Sequence, residues 1–266
     1  MIVVKAGGRA LEANLDKILE SLAKHFKLGR KLIFVHGGGD TVSRYERLMG
    51  LEPRFITSPS GIRSRYTDEK ELEVYVMVMA GKLNKEIVAR LQALGVKAIG
   101  LSGADGGLLK AVRKKKLIIV DERGRKRVIK GGYTGSIKEV NVELLEKILN
   151  SRYLAVISPI AIGSEHELLN VDADQAASAI AMATKAEELL ILTDVEGLIL
   201  DGKLIHELRA DDFERVKEKI GAGMNRKVML CVKAVKNGVG SAIISSGLIE
   251  DPLSAIEGGR GTRILP

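Results

Sequence analysis

The chain lacks tryptophan, has a single cysteine, and draws only 3% of its 266 residues from aromatics. With so few rings, leucine, isoleucine, valine and alanine must fill the core. The aromatic stacking platforms that hold single-stranded nucleic acid are excluded. One cysteine, Cys231, can form neither an internal disulfide nor a thiolate metal cluster. Its neighbours Val228, Met229, Leu230 and Val232 mark it as a buried structural thiol. No apolar run approaches the roughly 18 residues of a membrane-spanning helix. The opening MIVVKAGGR lacks the basic stretch and long apolar run of a secretion signal, so a cytoplasmic location is expected. The four histidines, His25, His36, His166 and His206, show no metal-ligand spacing. Two familiar phosphate signatures are also missing, the G-x-x-x-x-G-K loop and the G-x-G-x-x-G turn.

What is present reads as one large or two small α/β units: 45% hydrophobic and 29% charged residues. Short apolar strands at 2–5, 31–35, 98–101, 154–158, 189–193, 241–245 and 262–265 alternate with helical runs. Helices are expected at 11–28, 41–49, 67–94, 142–150, 174–186, 211–219 and 224–237. Thr67 is the expected N-cap of the long third helix. A small hairpin is expected at 54–57 and 62–66. The alternation implies a three-layer α/β/α sandwich with a mainly parallel central sheet. Ligands then belong at the carboxyl ends of the strands. A soft lobe boundary lies between 158 and 185.

The net charge of +8 is localised. Residues 110–130 hold ten basic side chains against only Asp121 and Glu122, so the rest of the chain is neutral. Two strands, 116–120 and 125–129, flank Asp121-Glu122-Arg123-Gly124 and read as a hairpin. Two readings are open: an edge hairpin kept soluble by charge, or a docking face for an acidic partner. RNA is a further partner for such a patch, but no nucleic-acid motif accompanies it.

The chemistry-bearing residues fall in a few clusters. Asn170, Asp172 and Asp174 precede an alanine-rich helix, either as an ordinary N-cap or as side chains presented at a helix start. Gly7-Gly8 and Gly37-Gly38-Gly39 follow strands, where glycines expose backbone N–H groups to anionic oxygens. Lys5 ends an otherwise apolar strand, a costly position unless the charge is paired. Lys227 stands early in a helix, where a cation opposes the helix dipole unless phosphate is its partner.

In this order, Lys5-Ala6-Gly7-Gly8, His36-Gly37-Gly38-Gly39, Asn170 with Asp174, Leu192-Thr193-Asp194-Val195-Glu196-Gly197, Gly223-Met224-Asn225-Arg226-Lys227 and Gly261-Thr262-Arg263-Ile264 resemble the amino acid kinase family. Within it they are similar to the N-acetylglutamate kinase branch. The resemblance runs from Ile2 to Ile264 and implies a carbamate kinase-like fold. It implies that Lys5 and Lys227 flank the transferring phosphoryl group, with Asp174 organising them. Gly38, Gly39, Asn170 and an arginine would hold the substrate. Gly7, Gly8, Thr193, Asp194, Gly197 and Met224 would lie on the nucleotide side. The donor would be ATP, with Mg2+ arriving on its phosphates rather than in a protein cage. The lobes would be 1–175 for the acceptor and 176–266 for the nucleotide.

The arginine that grips the substrate carboxylate in this branch matches Arg65 or Arg63, with Arg65 favoured by the Tyr66-Thr67 that follows. The Ser64-Arg65-Tyr66-Thr67 form and the basic hairpin resemble archaeal and Thermus-type relatives. Those phosphorylate α-aminoadipate or glutamate carried by its amino group on a small acidic protein, LysW. An acidic carrier implies a basic docking face. The first strand begins almost at once, without the extra helix of hexameric relatives, so a homodimer is the family expectation. Competing readings are a kinase of free N-acetylglutamate and a non-catalytic amino-acid sensor. The latter would have no need to keep Lys5, Asp174 and Lys227 together.

Overall fold

The computed structural model describes residues 1–266. The first part of the chain runs β1 (Ile2–Ala6), α1 (Gly8–Lys27), β2 (Leu32–His36), α2 (Gly39–Leu48) and the hairpin β3 (Phe55–Thr57) and β4 (Arg63–Arg65). A long helical stretch follows, α3 (Glu69–Val76) and α4 (Asn84–Ala93), joined through a π-helical segment at Met77–Leu83. Next come β5 (Ala98–Ser102), β6 (Leu109–Arg113), the hairpin β7 (Lys116–Val120) and β8 (Lys126–Lys130), and β9 (Gly135–Val140). The middle of the chain holds α5 (Val142–Asn150), β10 (Leu154–Ser158), β11 (Ile160–Gly163) and β12 (Leu168–Asn170). The remainder runs α6 (Ala173–Ala183), β13 (Glu188–Thr193), β14 (Ile199–Leu200), β15 (Lys203–Leu204), β16 (Glu207–Arg209), the short α7 (Phe213–Val216), α8 (Ala222–Lys236), β17 (Ser241–Ser246) and β18 (Thr262–Leu265).

Eight strands form the main sheet in the order β16-β18-β17-β13-β1-β2-β10-β5. Every neighbouring pair is parallel except β17 with β18. Alternate side chains of each strand feed opposite cores. Ile2, Val4 and Ala6 of β1 pack with α1 and α4, while Val3 joins α5, α6 and α8 on the other face. The expected three-layer sandwich is therefore the observed one. A second sheet, β12-β11-β6-β9, lies beyond the carboxyl end of β10 and was not read from sequence. Its strands are three to six residues long, too short to show a period clearly.

Several boundaries differ from expectation for identifiable reasons. Asp68, not Thr67, caps α3: its carboxylate accepts the Glu71 N–H while Glu71 reaches back to the Asp68 N–H, a capping box. Thr67 is fully buried instead. Helix α1 begins at Gly8, and Asn14 breaks its geometry by donating from Nδ2 to the carbonyls of Gly247 and Ile249. Residues 210–219 form short turns around α7 rather than one helix. No helix is long and apolar enough to cross a membrane.

Candidate active site

Strand β1 is paired on both sides, with Lys5 beside Val35 of β2 and Ile191 of β13. Its side chain shares the face of Val3 and so points toward α6 and α8. Helix α6 starts at the Asp172 cap, whose carboxylate accepts the Gln175 N–H, and this puts Asp174 in the first turn. Lys227 projects from the second turn of α8, which packs on α6. The three charges meet. Lys227 Nζ donates to Asp174 Oδ2 at 2.6 Å, and Lys5 Nζ lies 2.7 Å from Oδ1. Burial pushes the Asp174 carboxyl up, but the two ammonium groups outweigh that and hold it well below the ordinary range. Burial opposes the Lys227 charge, and Asp174 more than restores it. One buried carboxylate thus gathers two ammonium groups, with net positive charge left for an anion.

The two glycine loops lie against each other beside this cluster. The Gly7 N–H donates to Leu192 O and the Gly37 N–H to Ala6 O. A Cβ on Gly37 would sit 2.9 Å from Gly8 N, so no side chain fits between the loops. One on Gly7 would be 3.3 Å from Lys5 Nζ, which places the ammonium at the first loop. The N–H groups of Gly8, Gly38 and Gly39 open helices α1 and α2 and donate to no protein acceptor. Free N–H groups at two helix starts beside a lysine are an anion cradle.

The other sequence-derived candidates fall into two groups. Arg65 lies at the loop: Nη1 pairs with buried Glu46, and Nη2 donates to Gly39 O at 2.8 Å and Ser43 Oγ at 2.6 Å. Two of its five N–H donors remain free. Arg63 is exposed, its guanidinium over the Phe55 ring. Asn170 Nδ2 donates to Thr67 Oγ1 at 2.8 Å, tying the end of β12 to the start of α3. Thr193 ends β13 and donates to Asp194, which also pairs with Arg9 at 3.1 Å across the mouth of the first loop. Gly197 does not reach the lysine cluster. A Cβ there would press on Thr262 Oγ1, so packing accounts for this glycine. Met224 packs in part against the core below α8.

Sequence reasoning missed the Arg9–Asp194 bridge, the Asp172–Arg226 pair at 3.1 Å, and a cleft of about 310 Å3 past the ends of β13 and β17. That cleft is lined by Glu196, Ser245, Ser246 and Arg260 among others. Asp172, Arg226, Asp194 and Glu196 lie inside motifs already singled out, whereas Ser245, Ser246 and Arg260 carried no signal. A cleft of about 850 Å3 between α1, α2 and α4 is lined by Gly8, Gly37 and Gly38 of the loops but by none of Lys5, Asp174 and Lys227.

In the basic segment the hairpin forms as expected, with Lys116 opposite Lys130, Ile118 opposite Val128 and Val120 opposite Lys126. Lys115 pairs with Glu165, and Arg127 with Asp121. Lys114 is half-buried, its charge opposed by burial and by Arg226. Lys116, Arg123, Arg125, Lys126 and Lys130 are exposed, and none has an acidic partner among the ion pairs that form around them.

Comparison with known proteins matches residues 1–246 to the amino acid kinase family. The chain is 51% identical over 266 residues to a protein of Sulfurisphaera tokodaii named LysW-aminoadipate/LysW-glutamate kinase, covering all of both chains. A protein of the same name from Sulfolobus acidocaldarius is 49% identical over 265 residues, covering 99% of this chain and all of the relative. Among solved structures, Giardia lamblia carbamate kinase bound to AMP-PNP superposes with a TM-score of 0.67 at 16% identity. It covers 99% of this chain and 98% of that one, a likeness of fold.

Proposed function

The chain belongs to the amino acid kinase family and is a kinase, and from that premise we propose that it moves the γ-phosphoryl group of ATP to the side-chain carboxylate of carrier-linked α-aminoadipate or glutamate. The product is an acyl phosphate in lysine biosynthesis, and in arginine biosynthesis where glutamate is the acceptor. The observation that carries this is the pair of ammonium groups on opposite oxygens of buried Asp174, set beside a cradle of free N–H groups.

The acceptor carboxylate, with an unperturbed pKa of about 4.3, is ionised at neutral pH, so no general base is required. Its oxygen attacks the γ-phosphorus, the bond to the β–γ bridging oxygen breaks, and ADP leaves with the electron pair. No proton moves. The barrier lies in bringing anions together and stabilising charge on the transferred group. Lys5 and Lys227 meet that charge, and Asp174 fixes their separation. The N–H groups of Gly8, Gly38 and Gly39 orient phosphoryl and acceptor oxygens. Arg65, its plane set by Glu46, meets the acceptor α-carboxylate through a free donor, and Asn170 stands on the acceptor side. Thr193, Asp194 and the cleft at Ser245, Ser246 and Arg260 face the nucleotide. Gly7 turns the chain at the first loop, while Gly197 and Met224 shape the nucleotide half from behind. We assign residues 1–175 to the acceptor and 176–266 to the nucleotide. No three His, Cys, Asp or Glu side chains that could hold a metal ion gather in the structure, so Mg2+ is assigned no residues of its own. In this reading it enters with the nucleotide phosphates.

The names of the Sulfurisphaera and Sulfolobus relatives support LysW-type carrier protein as the partner. The five unpaired cations of the hairpin support its docking through an acidic surface. A homodimer and a cytoplasmic location complete the proposal and rest on the family resemblance. The test offers ATP with carrier-linked glutamate, carrier-linked aminoadipate and free N-acetylglutamate side by side, trapping acyl phosphate with hydroxylamine. Turnover confined to carrier-linked acceptors is expected. Efficient turnover of free N-acetylglutamate alone would overturn the carrier assignment.

A further inference from the structure

One buried polar chain lies behind the second glycine loop and takes no part in the scheme above. His36 and Asn84 are both fully buried. Asn84 is the first residue after the π-helical segment, a distortion that recurs near functional sites. Its Nδ2 lies 3.0 Å from Val156 O, 3.4 Å from Leu101 O and 3.3 Å from His36 Nε2. Its Oδ1 accepts from Lys85 Nζ at 3.0 Å. Two carbonyls around Nδ2 and an ammonium at Oδ1 fix the orientation of this amide. Gly37 O can only accept, so the ring proton resides on Nδ1 and the bare Nε2 faces the Asn84 amide. There it donates to Gly37 O at 3.1 Å.

That single bond has a geometric consequence. In a trans peptide the carbonyl and the following N–H point in opposite directions. Gly37 is already held from its own N–H by Ala6 O at 2.8 Å. Fixing its carbonyl toward His36 turns the Gly38 N–H away from the ring. Gly8 lies on that side, where a Cβ on Gly8 would be 3.3 Å from Gly38 N. The loop cannot relax backward, since a Cβ on Gly38 would collide with Leu83 Cδ1 at 2.2 Å and meet Met79 Sδ at 2.9 Å, both in the π-helical segment. Asn84 meanwhile ties β2, β5 and β10 together through one amide.

We propose that His36 and Asn84 are positioning residues for phosphoryl transfer, aiming the Gly38 N–H into the anion cradle through the Gly37 carbonyl. The inference rests on the kinase reading of the site but not on which acceptor it uses. Burial keeps the ring neutral, its pKa down to about 4, so the tautomer holds across the working pH range.

Two amide substitutions separate positioning from packing, since both fill the ring's place with a buried amide. In His36→Asn the amide nitrogen occupies the place of Nδ1 and still donates to Gly37 O. In His36→Gln it occupies the place of Nε2, and that donor is lost. With thermal midpoints confirming both folds, His36→Asn should keep kcat within about fivefold of wild type. His36→Gln should lose on the order of 30-fold in kcat, with KM for ATP unchanged within about twofold. Equal kcat in the two variants would overturn the proposal. Nitrogen-15 NMR of the ring in the intact protein reads the tautomer without any acceptor. A protonated Nδ1 with bare Nε2 is expected, and a protonated Nε2 would overturn it. If wild type turns over none of the acceptors, the proposed reaction fails while the tautomer result still stands.

Discussion

Lys5 and Lys227 are held against one buried carboxylate, whereas Lys116, Lys126 and Lys130 of the β7–β8 hairpin stand in water without an acidic partner. Both regions are positive, but their charge acts under different physics. In the first, low dielectric makes each contact strong and sensitive to geometry and to protonation. In the second, ions screen each charge beyond about 10 Å at 0.1 M salt, so the patch acts collectively and at long range. Chemistry belongs where charge is dry and fixed; capture of a partner belongs where it is wet and numerous. Salt therefore addresses one region, and substitution or acid the other.

The largest effect is expected in the dry region. Asp174→Asn, Lys5→Ala and Lys227→Ala should each lower kcat by about a hundredfold to a thousandfold with the fold retained. Measuring kcat for Lys227→Ala at saturating substrates checks this, and near wild-type turnover would remove Lys227 from the chemistry.

Acid should act on the same side of the comparison. His36 has its pKa lowered to about 4 by burial, against an ordinary value of 6.5. A depressed folded pKa means that the unfolded chain binds the proton more readily. Stability from this group is thus complete above about pH 6.5 and is lost as pH falls toward 4. Between pH 6.5 and 5 the loss should reach about 2 kcal/mol. Denaturant titrations across this range should show that slope in wild type and a flatter one in His36→Asn; identical slopes would exclude His36 as its source.

Arg65 lies between the two regimes, at the rim of the glycine loop. Arg65→Ala should raise KM for the acceptor about tenfold, through loss of a charge-assisted hydrogen bond to its carboxylate. It should also lower the thermal midpoint, because Glu46 would remain buried without its partner. Arg63→Ala should do neither, since its guanidinium lies exposed over Phe55. A larger KM effect from Arg63→Ala would move the grip to that residue.

Much of the catalytic region was legible because its residues violate local rules. A lysine on an apolar strand and a lysine near a helix start both ask for an anion, and both meet Asp174. Glycines after β1 and β2 pointed to exposed N–H groups, and those of Gly8, Gly38 and Gly39 donate to no protein acceptor; that the loops leave no room for a Cβ at Gly37 was visible only in the structure. The rest depended on contacts between residues remote in the chain. Thr67 looked like a helix cap until the competing Asp68–Glu71 box is seen, and its partner Asn170 lies 103 residues away. The π-helical segment reads as ordinary helix, because Met77–Leu83 has no composition of its own. Asn84 became interpretable only once three strands were found around its amide. The hairpin was visible as a charge run, but which of its cations are free depended on Glu165 and Asp121 finding Lys115 and Arg127.

The division between a dry chemical site and a wet docking face is tested most directly by steady-state kinetics across ionic strength. Wild type and the Lys116→Glu/Lys126→Glu/Lys130→Glu triple variant would be compared with carrier-linked acceptor at saturating ATP. Wild-type KM for the carrier-linked acceptor should rise severalfold between about 50 and 300 mM salt while kcat stays level. The triple variant should start with a high KM that barely responds to salt, at unchanged kcat. A wild-type KM indifferent to salt, or a kcat that falls with KM in the variant, would contradict the account.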